Sequence, residues 1–348
     1  MRNDTRVAFN RLRDRVAQLS GVTSASESFA VEPSIQQTLE TRIQESSEFL
    51  GMINVIGVDE IKGEKLGLGV SGPIAGRTDV SQKDRSPRDL TSLGAYRYEC
   101  ASTEFDTYLP WNKMDAWARF PDFQTRVRNA ITRQQALDRI MIGFNGLRAA
   151  VESDRDANPM LEDVNKGWLQ QYREHAPERV MSQGREGGGV IIDPTEKEDA
   201  NGNTVIAGDY ANLDALVMDA VNEMIDPWFR ESTELVAIMG RRMLADKYFP
   251  LVNQNQPPTE QRALDLIISQ KRVGGLQAVR APFVPDGAIF ITALSNLSLY
   301  WQRGSRRRYL RDKPERKRVE NYESSNDAYV VEDFGFGCLI ENIDTSNA

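Results

Sequence analysis

The segment from residue 59 to residue 95 constrains this chain most. It is rich in Gly, Ser, Asp, Lys and Arg, has little apolar content, and lies between two strand-like stretches, EKLGLGV (64–70) and YRYECASTEFDTYL (96–109). A connection of that length is too long for an ordinary turn, and long excursions inside folded chains are usually functional. It also has too few apolar side chains to build a core of its own. A two-stranded arm reaching away from the body would satisfy its edges by lying on a neighbouring molecule. The sequence therefore points to a fold with protruding parts.

The 348 residues carry 43 basic and 51 acidic side chains, a net charge of −8, and 40% of them are apolar. That is enough apolar material for a core within a wet surface, on a length that suggests about two domains. No stretch approaches the ~20 apolar residues needed to span a bilayer. The opening MRNDTRVAFN lacks the apolar h-region of a secretory signal. Two distant cysteines, Cys100 and Cys338, exclude cysteine-based zinc sites and a disulfide framework, and suit a reducing cytoplasm. There is one histidine, His175, so multi-histidine metal sites and H-E-x-x-H proteases are excluded. His175 sits near the end of an expected helix, just before Pro177, where the helix dipole favours a cation. No G-x-S-x-G accompanies it. Neither a catalytic residue nor a cofactor or metal site is expected.

Along the chain, Phe9, Leu12, Val16 and Leu19 form an amphipathic helical seam in a segment carrying five arginines against three acids. Residues 22–29 (VTSASESF) have a linker composition. The first 28 residues are thus either a basic helix on a tether, able to dock elsewhere or be removed, or an ordinary helix folded onto the core. Ser34 and Gln37 make a capping box ahead of the stripe Ile35, Leu39, Ile43. Residues 122–150 give the strongest helix pattern, through Phe123, Val127, Ala130, Leu137, Met141, Phe144 and Leu147; at 1.5 Å per residue that is roughly 40 Å. Another helix is expected within 158–181 and a surface hairpin within 182–208. From 209 the pattern turns α/β-like: LDALVMDAVNEMI, the buried strand ELVAIMG, a further helix TEQRALDLIIS, then the strands QAVRAPFV, GAIFITAL, LSLYW, AYVVEDF and GCLIENI. The fold class is α+β.

Gly67–Gly72 formally matches G-x-G-x-x-G, yet it follows Glu64-Lys65 and runs into Pro73, with no helix to receive a pyrophosphate. Gly184–Gly189 lacks the G-K-[ST] ending of a phosphate loop. The acid pairs Asp59-Glu60 and Glu332-Asp333 read as solvated surface. The run RGSRRRYLRDKPERKRV carries more weight. Arg303 to Arg318 holds nine Arg or Lys against Asp312 and Glu315, a net +7 that leaves the rest of the chain at −15. Such a patch binds nucleic acid by counterion release, or pairs with acidic surface on other copies of the chain. Pro314 favours a loop or hairpin over a recognition helix, and the acidic remainder favours pairing between copies. A DNA-binding structural protein using 303–318 is the alternative.

Several stretches, in order, resemble one family: VEPSIQQTLETRIQESSEFL (31–50), EIKGEKLGLGVSG (60–72), WARFPDFQTRVRNAI (117–131), IMIGFNGLRAA (140–150), NPMLEDVNKGWLQQYREHAPERVM (158–181), LADKYFPLVN (244–253), IISQKRVGGLQAVRAPF (267–283) and RVENYESSNDAYVVEDF (318–334). Together they are similar to the major capsid protein of Peduovirus-type (P-two group) temperate tailed bacteriophages. The resemblance implies the Hong Kong 97-type capsid fold. Residues 1–29 would then be a scaffold-binding segment removed near Phe29-Ala30, and 30–58 the N-arm and first helix. Residues 59–110 would be the E-loop, 111–205 a peripheral domain with spine helix 122–150, and 206–295 the axial domain. Residues 296–348 would return to the peripheral domain with the hairpin 303–318, then send a last strand toward the axial domain.

The resemblance further implies hexamers and pentamers of an icosahedral shell around double-stranded DNA, assembled in the host bacterial cytoplasm. It also implies an internal scaffold, a maturation protease, a portal at one vertex, and neither membrane nor cofactor. The cations Arg303, Arg306, Arg307, Arg308, Arg311, Arg316, Lys317 and Arg318 would make contacts between subunits. Reversing Arg306, Arg307 and Arg308 to Glu is expected to abolish assembly while sparing the monomer fold.

Overall fold

The computed structural model describes residues 1–19, 22–26, 28–65, 75–86, 96–117, 123–198, 204–252 and 272–345. It divides into two compact units: Met1–Lys62 with Glu99–Gly167 and Ser298–Val330, and Gly63–Tyr98 with Trp168–Leu297 and Val331–Ala348. Between the long helix and the second sheet the division falls at 167/168. The cause is the helix Trp168–His175, which buries Trp168, Leu169 and Tyr172 in the second unit, and the strand Val180–Met181, which pairs there with Gly337–Ile340.

The first unit is built on a seven-stranded sheet. Its path runs Phe29–Ala30, Arg307–Lys313, Arg318–Val331, Leu297–Gln302, Asn54–Val58, and Ala101–Glu104 and Thr107–Pro110 also pair with Arg318–Val331. Arg307–Lys313 and Arg318–Val331 form an antiparallel hairpin closed by the turn Pro314–Arg316 and a left-handed Lys317. The basic segment is therefore the expected hairpin. The helices Pro33–Glu45 and Phe123–Asn145 also belong to this unit. The long helix ends at Asn145, not 150. A side chain at Gly146 would overlap the Asn165 carbonyl, and one at Gly167 the Ile142 carbonyl, so the chain can turn here only because both residues are glycine. Leu147 is consequently exposed and leaves the apolar stripe. Residues 158–167 form a turn-rich loop, and the helix expected within 158–181 is confined to Trp168–His175.

In the second unit a six-stranded sheet has the order Arg272–Val273, Leu276–Arg280, Leu235–Met239, Ile289–Ala293, Gly337–Ile340, Val180–Met181. Every residue of Leu235–Met239 and Ile289–Ala293 is buried, the mark of strands covered on both faces. The helix Leu213–Met224 places Leu213, Leu216, Val217 and Ala220 in a cluster with Ala237, Met239, Ile289, Ile291, Cys338 and Ile340. It starts where the Asn212 side chain accepts a hydrogen bond from the Ala215 amide at 2.9 Å. Alternate residues point the other way, where Tyr172 meets Phe290 edge-on at 5.2 Å. The expected hairpin of 182–208 is present as Glu196–Glu198 paired with Thr204–Ile206.

Of the 59–110 excursion, Lys62–Lys65 pairs with Tyr96–Glu99 as a two-stranded ribbon, with Lys62 and Glu99 2.7 Å apart. The match Gly67–Gly72 and the helix TEQRALDLIIS lie outside the described residues.

Candidate assembly surface and the charge network beneath it

Antiparallel pairing alternates the hairpin's side chains, and the nine cations consequently meet different fates. Five meet carboxylates within the first unit, sharing Asp59, Glu40, Glu320 and Glu323 among them. Arg303 faces Asp59 at 3.1 Å, Arg308 meets Glu323 at 3.0 Å, and Lys313 lies 3.7 Å from Glu320. Arg318 contacts Glu320 at 2.5 Å and covers the Tyr108 ring at 4.5 Å. Arg306 is 2% exposed and sits between Glu40 and Glu323, at 2.9 Å from each. Arg307, Arg311, Arg316 and Lys317 are exposed and have no carboxylate partner among the described residues. The +7 of the sequence is thus mostly spent on acids from other segments. The sequence expectation is corrected for Arg306, which presents no surface to a neighbour: reversing it would bury a carboxylate against Glu40 and Glu323 and undo the monomer.

Arg306 belongs to a buried network that the sequence did not reveal. The Arg139 guanidinium donates to Glu40 at 2.5 and 3.3 Å and to Asp327 at 3.0 and 3.1 Å. Gln135 donates to Glu323 at 2.9 Å and accepts from Arg306 at 2.9 Å. Glu40, Glu323 and Asp327 balance Arg139, Arg306 and Arg308, so the set is neutral. It ties the helix Pro33–Glu45, the helix Phe123–Asn145 and the strand Arg318–Val331 to the base of the hairpin. Gln36 adds to this by donating to the Gln302 carbonyl and accepting from the Gly304 amide.

Burial pushes the Glu40 carboxyl up, but Arg139 and Arg306 together hold it below its ordinary value. For Glu323, burial is likewise outweighed by Arg308 and Arg306, which bring it down to about 2. Burial raises the Asp327 carboxyl, because Arg139 offsets only part of the cost and Glu40 repels it. Buried ion pairs of this kind give modest net stability and strong positional demands, since any unpaired member is costly.

The signal for this network was spacing. Gln36/Glu40 and Gln135/Arg139 are i, i+4 pairs on the faces that also carry Ile43 and Ile140, and Asn321, Glu323, Ser325 and Asp327 alternate along one strand face.

The N-terminal helix, Asn3–Leu19, folds onto the first unit. Phe9 packs with Met114 and Val319, and Val16 and Ala17 with Ala25 and Leu310. Phe29 and Ala30 form a two-residue strand opposite Arg308 and Arg307.

His175 is exposed at its helix end, with its ring 5.9 Å from that of Phe334. No cluster of three or more metal-ligating side chains exists among the described residues. No helix of the described residues is long and apolar enough to cross a membrane.

The profile of the phage major capsid proteins, P2 family, matches residues 8–343. The chain belongs to that family. It is 51% identical over 350 residues to the capsid protein of Escherichia phage P2, covering 99% of this chain and 95% of that one. It is 40% identical to the major capsid protein of Serratia phage KSP20, covering 99% and 97%. A solved structure, the satellite phage P4 procapsid including the size determination (Sid) protein, contains a chain 49% identical, with a TM-score of 0.79 over 99% of this chain and 98% of that one. The α+β architecture is the Hong Kong 97-type capsid fold, and the capsid protein is a virion component that forms the head shell.

Proposed function

We propose that this capsid protein assembles as hexamers and pentamers in the host bacterial cytoplasm, around an internal scaffold and with a portal at one vertex. On this reading it performs no catalysis and encloses DNA without sequence-specific binding. The observation that carries this reading is the family match along nearly the whole chain. The first unit would serve as the peripheral domain, the second as the axial domain, and 59–110 as the E-loop.

The exposed cations Arg307, Arg311, Arg316 and Lys317, with Arg303 at the near end, would face acidic surface of neighbouring copies. Internal pairing of five of the nine hairpin cations favours this use over nucleic-acid binding, which draws on free positive charge. A maturation protease would cut near Phe29-Ala30; the loss of a +2 segment takes the subunit from −8 to −10 and reduces its attraction for packaged DNA. Electron microscopy of particles formed with a scaffold, and mass spectrometry of their subunits, test this together. Closed shells whose subunits begin near residue 30 are expected; subunits of finished particles that retain Met1 would overturn the processing step.

A further inference from the structure

Within the first unit, a cavity of about 870 Å³ lies between residues 101–107, the helix Phe123–Asn145 and the loop 147–164. Its lining carries the carboxylates of Glu104, Asp106, Asp138, Glu152 and Asp163 against one guanidinium, that of Arg155, among the described residues. Two buried side chains in that lining are unsatisfied. Thr103 is 4% exposed and Asp163 2%, and neither the Thr103 Oγ1 nor the Asp163 Oδ1 has a hydrogen-bond partner among the described residues. Asp163 uses its other oxygen on the loop, accepting from the Asp154 amide at 2.7 Å and the Asn158 side chain at 3.1 Å, so Oδ1 is the oxygen left for the cavity. A buried acceptor without a donor is costly, and it marks a place where a donor belongs. Asp138, half-buried, points the same way. Burial raises its carboxyl above the ordinary value, and neither the hydrogen bond from Gln134 nor the charge of Arg155 makes up for it.

What suits this lining is a cation longer than a single ion. No three carboxylates converge closely enough to hold a metal ion among the described residues, while Ile131, Met141, Leu161 and Val164 supply apolar wall. Methylene segments bury against such a wall, and the ammonium groups they carry donate strong hydrogen bonds to carboxylates. We propose that this cavity is a binding site for a linear aliphatic polyamine, whose ammonium groups pair with Asp138 and Asp163 within and with the exposed Glu104, Asp106 and Glu152 at the mouth. The bound ligand ties the loop 147–164 to the helix Phe123–Asn145. Arg155 is a built-in competitor for the same acids, because its charge already acts on Asp106 and Asp138. The site needs no second copy of the chain, so it stands or falls apart from the shell-forming reading.

Isothermal titration calorimetry of the full chain with spermidine is the test, at one ionic strength held by sodium chloride, with butylamine as the single-charge comparator. One saturable site per chain is expected, with spermidine bound more tightly than butylamine by about tenfold or more. Asp138→Asn should weaken binding about tenfold, the worth of one charge-assisted hydrogen bond. Glu104→Gln, an exposed change that spares the core, should weaken it in the same direction, and Arg155→Ala, which removes the competing cation, should tighten it. Hydrogen exchange should slow on binding at the Asp154 and Asn158 amides and stay unchanged at Leu235–Met239. Binding that does not saturate, an affinity that the two acid variants leave unchanged, or protection confined to other parts of the chain overturns the proposal. So does a cavity filled in assembled shells by a basic segment of a neighbouring copy, with no affinity for spermidine in the isolated subunit.

Discussion

Replacing Arg139 with Met should be among the most damaging single changes in the first unit. The side chain is about 1% exposed, and its guanidinium is the counter-charge of both Glu40 and Asp327. Methionine fills most of the volume but leaves two buried carboxylates with one fewer cation, and removing one partner of a buried pair costs about 3–5 kcal/mol. At about 1.4 kcal/mol per decade this is a hundredfold to few-thousandfold drop in the folding equilibrium constant of the unit. Asp327 already has a raised carboxyl, which losing Arg139 raises further, and the same loss lifts Glu40, which Arg139 helps to hold down.

The sign follows from proton binding. Where the folded value lies above the unfolded one, the folded state holds more protons, so stability falls as pH rises through that window. The variant should accordingly lose least near pH 5 and most near pH 8. Urea denaturation followed by the fluorescence of buried Trp301, at both pH values, measures this. Adding Glu40→Gln and Asp327→Asn to Arg139→Met removes the stranded charges and should recover more than half of the loss. A cost below about 1 kcal/mol that does not change with pH would refute the buried-charge account.

Three further outcomes follow from the same geometry. Arg306→Glu should leave the chain insoluble, whereas Arg311→Glu with Arg316→Glu should leave the denaturation midpoint of the soluble subunit within error and reduce shell yield at least tenfold; particle counts by electron microscopy and urea titration separate the two. In the unmodified chain, Glu323, held at about 2, contributes stability that is present above its unfolded value of 4.5 and is lost as pH falls toward 2, so the first unit should loosen before the second on acidification, read by hydrogen exchange at Arg318–Val331 against Ile289–Ala293. Burial pushes both thiols, Cys100 and Cys338, up to about 12, so iodoacetamide at pH 8 should leave the native chain unlabelled and label both after unfolding, with rapid native labelling contradicting the packing.

Much of the α+β order was legible because it depends on periodicity. The continuous apolar run in ELVAIMG is a fully buried strand, and LDALVMDAVNEMI is a helix with one apolar face, as its 3.6 spacing requires. The hairpin at 303–318 was legible through Pro314 and alternation. Two things were not. The helix stop at Asn145 depends on Gly146 and Gly167 meeting in space, a contact across the loop that no local pattern encodes. The buried network depends on Glu40, Arg139, Arg306, Glu323 and Asp327, polar residues that read as surface until their partners, as many as 266 positions away, are brought together. Charge counted along the chain therefore placed Arg306 with its exposed neighbours, although burial decides its role. Similarity to a family carried the shell-forming role, which composition alone did not name.

The most direct measurement is cryo-electron microscopy of this chain expressed with an internal scaffold. Closed icosahedral shells are predicted, with the tip of the basic hairpin resting against acidic side chains of an adjoining subunit. Soluble single subunits, or aggregates without symmetry, would contradict the account.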